Sequence, residues 1–127
     1  MAFTEAWLAG PQSTQFYTRK YASTTPKAAL VFIHGFAEHV GRYQYPHTKF
    51  SERGITVFTF DLRGFGKTAQ DVENKSKTSF YGKTCWTDQM LDIRWAIEHV
   101  QKDVPGLPVF LMGHSMVSKT PLDNNVL

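Results

Sequence analysis

A serine with the potential for nucleophilic catalysis follows an apolar segment near the end of the chain. Ser115 lies two residues after Gly113, and the preceding run from Val109 to Met112 has the composition of a strand. A serine in a sharp strand-to-helix turn can attack a carbonyl, while the backbone N–H of the next residue, Met116, faces the reacting oxygen. Val117 stands where the second glycine of a G-x-S-x-G pattern belongs, and a β-branched residue should crowd that turn. The spacing therefore predicts a nucleophile elbow that departs from the pattern at one position.

A second loop could complete such a site, because it also follows an apolar segment. The run from Ala28 to Ile33 is apolar without alternation, which is typical of a strand covered on both faces, and His34 and Gly35 follow it directly. A loop in this place can supply a second oxyanion donor, so we expect the backbone N–H groups of Phe36 and Met116 to face one oxyanion. His34 is predicted to lock this loop through its imidazole rather than to take part in catalysis.

Polar and small residues around these two loops are predicted to shape them. Glu38, His39 and Arg42 are interpreted as loop-shaping contacts or solvated charges, and no specific chemistry is assigned to them. Gly35 and Gly113 are also interpreted as loop-shaping residues, because small residues make sharp turns sterically possible. No metal ligand set is predicted from the sequence.

The triplet Gly66, Lys67 and Thr68 imitates the end of a phosphate-binding loop and also follows an apolar strand. Such a loop needs a glycine five positions before the Gly-Lys pair, so that its amides can face the phosphates, but that position holds Asp61. The residues after Thr68 are also poor helix starters. We therefore interpret the triplet as a tight turn after a strand and not as a nucleotide site.

Apolar and alternating segments predict the elements that must position these residues. A short helix from Pro46 to Arg53 has proline near its start and Gly54 after its end, which is the asymmetry expected of a helix. It lies between two strands and predicts a right-handed βαβ unit. The segment from Thr68 to Lys83 has no period and is predicted to be a surface loop. Strands are expected at Glu5 to Leu8, Gln15 to Tyr21, Ala28 to Ile33, Ile55 to Phe60 and Val109 to Met112.

The last predicted helix begins at Trp86 and ends before Pro105 and Gly106. Apolar residues at alternating spacings of four and three predict one buried face, while Asp88, Asp92 and Gln101 are assigned to the solvated face. The apolar positions are Trp86, Met90, Ile93, Ile97 and Val100.

The composition describes one packed domain and excludes several classes of protein. The 127 residues are 42% hydrophobic and 20% charged, which suffices for a core and excludes wholesale disorder. The net charge of +3 comes from scattered basic residues, so no nucleic-acid partner is predicted. Cys85 is the only cysteine, which favours a cytoplasmic protein without a disulfide. No apolar run is long enough to predict a signal peptide or a membrane span.

Three blocks of sequence together resemble the α/β-hydrolase fold, and more narrowly the monoacylglycerol lipase-like serine hydrolases, which are grouped with lysophospholipases and serine aminopeptidase-type sequences. The blocks are His34 to Tyr43, Asp61 to Gly66 and Pro105 to Met116. The resemblance implies an α/β protein that is the N-terminal half of this fold, with a mostly parallel sheet flanked by helices. Residues 1–116 would be the N-terminal part of the hydrolase domain, truncated after the elbow, and residues 117–127 would be an atypical tail.

The resemblance also implies a chemistry for the site. Ser115 would attack an ester carbonyl to form an acyl-enzyme, and Phe36 with Met116 would hold the oxyanion. The complete form would act on lipid esters such as monoacylglycerols, would make peripheral contact with membranes or lipid droplets, and would need no cofactor or metal.

The family's pattern breaks after the serine. In this fold the acid and the histidine of the triad follow the nucleophile, but all five histidines lie at or before position 114. We therefore expect the 127-residue chain to be inactive and poorly stable, with the last strand open to aggregation or to edge-strand pairing. The alternative function is a non-catalytic product or binding module derived from a hydrolase.

The tail invites two explanations. Val117 and Ser118 can be encoded by GTAAGT, the common sequence of an intron's 5′ splice site, at the point where the family has two glycines. Translation into a retained intron is the favoured expectation, and a natural short isoform is the other. Pro121 would interrupt the helix that should follow the elbow.

Overall fold

The computed structural model describes residues 2–115, in which the strands form one five-stranded sheet. All five predicted strands are confirmed, with ends that shift by at most one residue. The predicted tail and the backbone N–H of Met116 lie outside the described residues. The strands are β1 (Thr4–Ala9), β2 (Gln15–Tyr21), β3 (Ala28–Ile33), β4 (Ile55–Phe60) and β5 (Val109–Gly113).

The sheet is mixed and has the order β1-β2-β4-β3-β5. Strand β3 is parallel to both of its neighbours, β4 and β5, whereas β1 pairs with β2 and β2 pairs with β4 in antiparallel fashion. The parallel part is therefore confined to β3, β4 and β5 among the described residues. The carboxyl ends of these three strands meet at one edge of the sheet, and the loops that leave them lie side by side.

Helices connect the strands and cover the sheet. Helix α1 (Gln44–Glu52) links β3 to β4, and α3 (Trp86–Asp103) precedes β5. The helix predicted from Pro46 begins two residues earlier, because a 3-10 turn at Val40–Tyr43 leads directly into it. Within residues 2–115 no helix combines the length and the apolar character needed to cross a membrane.

A third helix, α2 (Gly66–Gln70), corrects the prediction that residues 68–83 form only a surface loop. Thr68 and Ala69 are buried. The Thr68 hydroxyl donates a hydrogen bond to the Asp61 carbonyl at 2.7 Å and accepts one from the Tyr17 N–H at 3.1 Å. These tertiary bonds hold a polar segment against the sheet, which the absence of a sequence period could not predict.

The core lies on both faces of the sheet. On one face, apolar residues of β2, β3 and β4 pack against the inner side of α3, including Phe16, Phe60 and Ile97. On the other face, Phe32 and Val57 belong to a smaller cluster that includes residues of α1. Strands covered on both sides are mostly apolar, which is why β3 and β4 show no alternation of apolar and polar residues, and the two threonines of β4 are buried with hydrogen-bonded hydroxyls.

The inner face of α3 is largely as predicted, with two corrections. Ile93, Ile97 and Val100 are buried, but Trp86 at the first position of the helix is 50% exposed. Asp92, which was assigned to the solvated face, is completely buried. A carboxylate in that position needs a partner, and the partner comes from a different element.

Arg63, in the loop after β4, is the partner of Asp92. Its Nε donates to Asp92 Oδ2 at 2.9 Å and its Nη2 donates to Oδ1 at 2.8 Å, which is a bidentate ion pair. Arg63 also donates to Gln12 Oε1 at 2.6 Å and to the Pro11 carbonyl at 3.2 Å. Burial raises the pKa of the Asp92 carboxyl, and the hydrogen bonds from Arg63 oppose that rise. One guanidinium thus joins its own loop after β4 to helix α3 and to the 3-10 turn at Pro11–Ser13.

Strand β5 is an edge strand of the described sheet. Phe110 and Met112 are 58% and 43% exposed, because they alternate with Val109 and Leu111 and lie on the face of the strand away from α3. The aggregation expected from this edge stays a prediction.

We predict that Asp92→Asn destabilises the chain strongly. The substitution leaves the Arg63 guanidinium, which is 11% exposed, with only the more distant Asp88 carboxylate at 3.9 Å as a counter-charge. Breaking a buried ion pair costs about 3–5 kcal/mol. Urea unfolding followed by circular dichroism measures the change. The control is Glu98→Gln, which breaks the exposed pair between Arg94 and Glu98 and should cost less than about 0.5 kcal/mol. Equal losses in the two variants would show that the buried pair contributes no more than a surface pair.

His47 on α1 is enclosed by aromatic rings. The ring centroids of Tyr21, Phe32 and Tyr43 lie 5.3, 4.7 and 5.6 Å from that of His47. The side chain is 1% exposed, and neither ring nitrogen has a hydrogen-bond partner within residues 2–115. Burial lowers the pKa of His47 to about 4, and the nearby charge of Arg19 acts in the same direction.

The stability of the chain should therefore fall in acid through His47. The folded-state pKa of about 4 lies below the ordinary value of 6.5, so the unfolded chain takes up the proton first. The contribution of neutral His47 to the free energy of unfolding is complete above about pH 6.5. About 3 kcal/mol of it is lost as the pH falls toward 4. Urea unfolding at several pH values should show a smaller acid loss for His47→Phe, which keeps the ring packing. An identical loss in both proteins would assign the acid sensitivity to other groups.

Candidate active site

Ser115 lies two residues after the end of β5, at the edge where the carboxyl ends of the parallel strands meet. Its φ of +64° lies in the left-handed region, which costs a residue with a side chain about 1–2 kcal/mol. The preceding His114 N–H donates to the Ile33 carbonyl at 3.1 Å and attaches this turn to the end of β3. Strain of this kind persists only where the surroundings hold it, and it is concentrated at functional turns.

The loop after β3 passes close to Ser115 at Gly35. A Cβ added to Gly35 would lie 2.9 Å from the Cβ of Ser115 and 2.5 Å from Oε2 of Glu38. Neither distance leaves room for a side chain at this position. The structure therefore brings together Gly35, Glu38 and Ser115, which the sequence analysis assigned to one site.

The Glu38 carboxylate is the centre of a polar cluster beside this loop. It accepts a hydrogen bond from the Tyr43 hydroxyl, and its side chain is only 12% exposed. His114 Nε2 lies 3.6 Å from one carboxylate oxygen, and Arg42 Nη1 lies 3.8 Å from the other. Burial, together with the hydrogen bond to Glu38, raises the pKa of Tyr43 to about 12. The hydroxyl therefore stays protonated and donates to Glu38 at neutral pH.

The buried His34 imidazole connects the loops after β3 and β4. Its Nε2 accepts a hydrogen bond from the Leu62 N–H at 2.8 Å, so the ring proton is on Nδ1, which lies 2.7 Å from the Gly35 carbonyl. Burial lowers the pKa of His34, and the neutral ring suits this pair of bonds. Both ring nitrogens are occupied by backbone groups.

Asp61, the first residue after β4, is a structural centre that the sequence analysis missed. Its Oδ1 accepts the Val40 N–H and its Oδ2 accepts the Lys67 N–H, both at 2.8 Å. Gly66 has a φ of +54°, and a Cβ there would overlap with the Asp61 carboxyl. An Asp directly after a strand and before a glycine-rich turn is a signal for such backbone capping, which neither the phosphate-loop comparison nor the family resemblance uses.

The remaining predicted site residues lie near these loops. The Phe36 side chain is mostly exposed, and its ring contacts the Phe65 ring at 5.1 Å. The next residue, Ala37, has a φ of +59°, so the loop after β3 contains a left-handed residue of its own. Gly113 is the last residue of β5, and Met116 lies outside the described residues. No group of His, Cys, Asp and Glu side chains within residues 2–115 could hold a metal ion.

The mixed sheet, the helices on its two faces and the loops at the carboxyl edge define the chain as part of an α/β-hydrolase. A carboxyl esterase from Bacillus coagulans matches with a TM-score of 0.75 and 32% identity, over 91% of this chain and 37% of that one. A soluble variant of monoglyceride lipase from Saccharomyces cerevisiae matches with a TM-score of 0.71 and 24% identity, over 90% of this chain and 35% of the other, and shows the same fold.

The chain belongs to the serine aminopeptidase, S33 family, whose family model matches residues 24–119. It is 37% identical over 95 residues to monoglyceride lipase of Homo sapiens, which covers 72% of this chain and 28% of that protein. It is 32% identical over 94 residues to monoacylglycerol lipase of Mycolicibacterium smegmatis, which covers 73% and 30% respectively. The resemblance to monoacylglycerol lipase-like hydrolases is therefore confirmed. The chain spans only 28–30% of the length of these two curated relatives.

We predict that Gly35→Ala destabilises the loop beside Ser115. The added methyl group would approach Ser115 Cβ and Glu38 Oε2 too closely, and overpacking of this kind costs about 1–3 kcal/mol. In a Ser115→Gly background the same change should cost less, because the nearest carbon atom is gone. Thermal unfolding of the four proteins gives the coupling, and strict additivity would contradict the contact.

Proposed function

We propose that Ser115 is the nucleophile of a serine ester hydrolase that acts on monoacylglycerols or related lipid esters. The observation that carries this proposal is the left-handed φ of Ser115 at the end of β5, held beside Gly35. In the reaction the Ser115 oxygen attacks the ester carbonyl, the alcohol leaves with a proton, and water then releases the fatty acid from the acyl-enzyme. The monoacylglycerol and monoglyceride lipases among the relatives support this substrate class.

The oxyanion is proposed to be held by the backbone N–H groups of Phe36 and Met116. Phe36 follows Gly35, which lies close to Ser115, and Met116 follows the serine itself. Removing one such donor costs enzymes about 3–4 kcal/mol of transition-state stabilisation, so the position of the loop after β3 matters for rate. His34 acts through the backbone in this scheme, because both of its nitrogens bind the loops rather than the substrate.

The proton chemistry needs groups that these contacts do not supply. In folds of this class the triad acid and histidine follow the nucleophile, whereas the last of the five histidines here is His114. Its Nε2 faces Glu38 at 3.6 Å. We therefore propose that the 127-residue polypeptide by itself turns over esters about six orders of magnitude more slowly than an enzyme with a complete triad.

The extent of the domain and the location of the protein are also proposals. Residues 1–116 are proposed to be a part of the hydrolase domain and residues 117–127 a separate tail, in a cytoplasmic protein that reaches ester substrates at membranes or lipid droplets. The second candidate is a non-catalytic binding module. The observation that favours it is the open edge of β5, where Phe110 and Met112 present apolar side chains. Such an edge can pair with a strand of another chain.

A labelling experiment tests the proposed nucleophile. The messenger RNA is first sequenced across the codon of Met116, and the protein encoded by the reading frame is expressed and treated with a fluorophosphonate probe. Where an Asp or Glu and a His follow Ser115, we expect covalent labelling of Ser115 and hydrolysis of a monoacylglycerol. Ser115→Ala should abolish the label and lower kcat by about six orders of magnitude.

The 127-residue polypeptide is the matched control for this experiment. We expect no saturable hydrolysis of a short-chain ester from it. Rapid hydrolysis that Ser115→Ala abolishes would contradict the need for a downstream base. A reading frame that always ends at Leu127, with no label at Ser115, would favour the binding module.

A further inference from the structure

A cavity opens at the carboxyl edge of the sheet, and Ser115 is not among the residues that line it. Its volume is about 420 Å³. It lies where β2 and β4 meet the loop after β3, whereas Ser115 follows β5 at the far side of β3. Its walls include the side chains of Tyr17, Arg19, His39, Asp61, Lys67 and Asp71.

Arg19 presents a positive charge to this cavity with only neutral partners. Its Nε donates to the Tyr17 hydroxyl at 2.9 Å and its Nη1 donates to the Tyr21 hydroxyl at 3.4 Å. The guanidinium carbon also lies 4.1 Å from the centre of the Phe3 ring. Within residues 2–115 no carboxylate forms an ion pair with Arg19, and the nearby Glu5 accepts the Tyr17 hydroxyl instead. The guanidinium is thus held by aromatic residues and forms no ion pair with a carboxylate of residues 2–115.

Lys67 brings a second positive charge to the same wall. Its Nζ lies 4.6 Å from the centre of the Tyr17 ring, so the ammonium group and Arg19 both lie beside Tyr17. Lys67 also forms no ion pair with a carboxylate of the described residues. His39 lies on the loop opposite, where its Nδ1 would be 2.9 Å from a Cβ on Gly41. The absence of a side chain at Gly41 leaves space between the His39 ring and the Arg19 guanidinium.

The two carboxylates of the cavity are used by the backbone. Asp61 accepts one N–H from Val40 and one from Lys67, and each of its oxygens is occupied. Asp71 Oδ1 accepts the N–H groups of two residues that follow it in the chain. Neither acid forms an ion pair with Arg19 or Lys67. The cavity side chains that can donate hydrogen bonds to a ligand without a competing ion pair therefore include Arg19, Lys67 and His39.

The triplet Gly66, Lys67 and Thr68 does not form a nucleotide-binding loop, but its Lys67 side chain lines the cavity. The Lys67 N–H is bound by Asp61, and the Thr68 hydroxyl is bound by the backbone of Asp61 and Tyr17. These groups are not available to cradle phosphates in the manner of a phosphate-binding loop. The Lys67 ammonium group, by contrast, lies at the cavity and needs no rearrangement to meet an anion.

We propose that this cavity binds the phosphate group of a phosphate monoester through Arg19 and Lys67, with His39 as a third donor. Arginine presents a planar fork that binds two phosphate oxygens, and lysine supplies a point charge. A phosphate monoester carries a negative charge between one and two at neutral pH, opposite in sign to the charges of Arg19 and Lys67. The monoester is either a small soluble compound or the headgroup of a lipid, and both offer the same chemistry to these residues.

Calorimetric titration of the 127-residue chain with glycerol 3-phosphate, and sedimentation with phosphatidylcholine vesicles that contain or lack phosphatidic acid, test the proposal. We expect saturable binding that Lys67→Met weakens about tenfold or more, because hydrogen bonds between charged groups contribute most of the affinity for such a ligand. Lys67→Arg should retain binding. Lys102→Met removes the same charge from the last turn of α3, far along the chain from the cavity, and should change affinity less than about twofold.

Each arm gives a decisive result. Binding of glycerol 3-phosphate without vesicle binding supports the proposal with a soluble ligand, and binding only to vesicles with phosphatidic acid supports it with a lipid headgroup. Absence of saturable binding in both arms, or equal weakening by Lys67→Met and Lys102→Met, overturns it. Arg19→Gln is the second variant and should also weaken binding, with circular dichroism as the check on its fold. None of these measurements uses ester hydrolysis, so they are independent of the role of Ser115.

Discussion

The loops after β3 and β4 are held together by two buried polar side chains, each of which accepts a backbone N–H from the opposite loop. His34 accepts the Leu62 N–H across the gap, and Asp61 accepts the Val40 N–H in the opposite direction. An unpaired buried N–H group costs about 1–3 kcal/mol, so neither loop can shift without losing partners in the other. The close approach of Gly35 to Ser115 depends on this connection, because the imidazole that holds Leu62 also contacts the Gly35 carbonyl.

The sheet could be predicted from the sequence because its signals are local. β3 is apolar throughout and β4 is apolar except for Thr56 and Thr59, since both of their faces are covered, and these residue types alone mark the two strands. The apolar residues of α3 are similarly arranged with helical spacing, and Ile93, Ile97 and Val100 are buried as the spacing predicted. Trp86 differs because the first residue of a helix lies beyond the region that the sheet covers.

Buried polar residues could not be predicted in this way, because their partners are distant in the chain. Asp92 has the residue type of a solvated helix face, and only the bidentate contact with Arg63, from the loop after β4, makes its burial tolerable. Thr68 has the same character, since its hydroxyl bridges backbone groups of Asp61 and Tyr17. Hydrophobic periodicity carries no information about such pairs. Residues of the candidate site could be predicted from the sequence only where a suitable residue type follows the end of a strand, as for Ser115 and Gly35.

The strain at Ser115 explains why a bare G-x-S pattern says little without its neighbours. A left-handed φ at a serine costs about 1–2 kcal/mol, and a short turn at an edge strand has few local contacts to offset that cost. Here the His114 N–H donates to the carbonyl of Ile33 at the end of β3. The His114 ring lies against Glu38, which is in the loop after β3. The support for the serine therefore comes from the loop after β3, and that loop is in turn held by the loop after β4. Three adjacent strand ends together define the geometry of the serine, so the pattern gains meaning only when all three blocks of sequence occur in one chain.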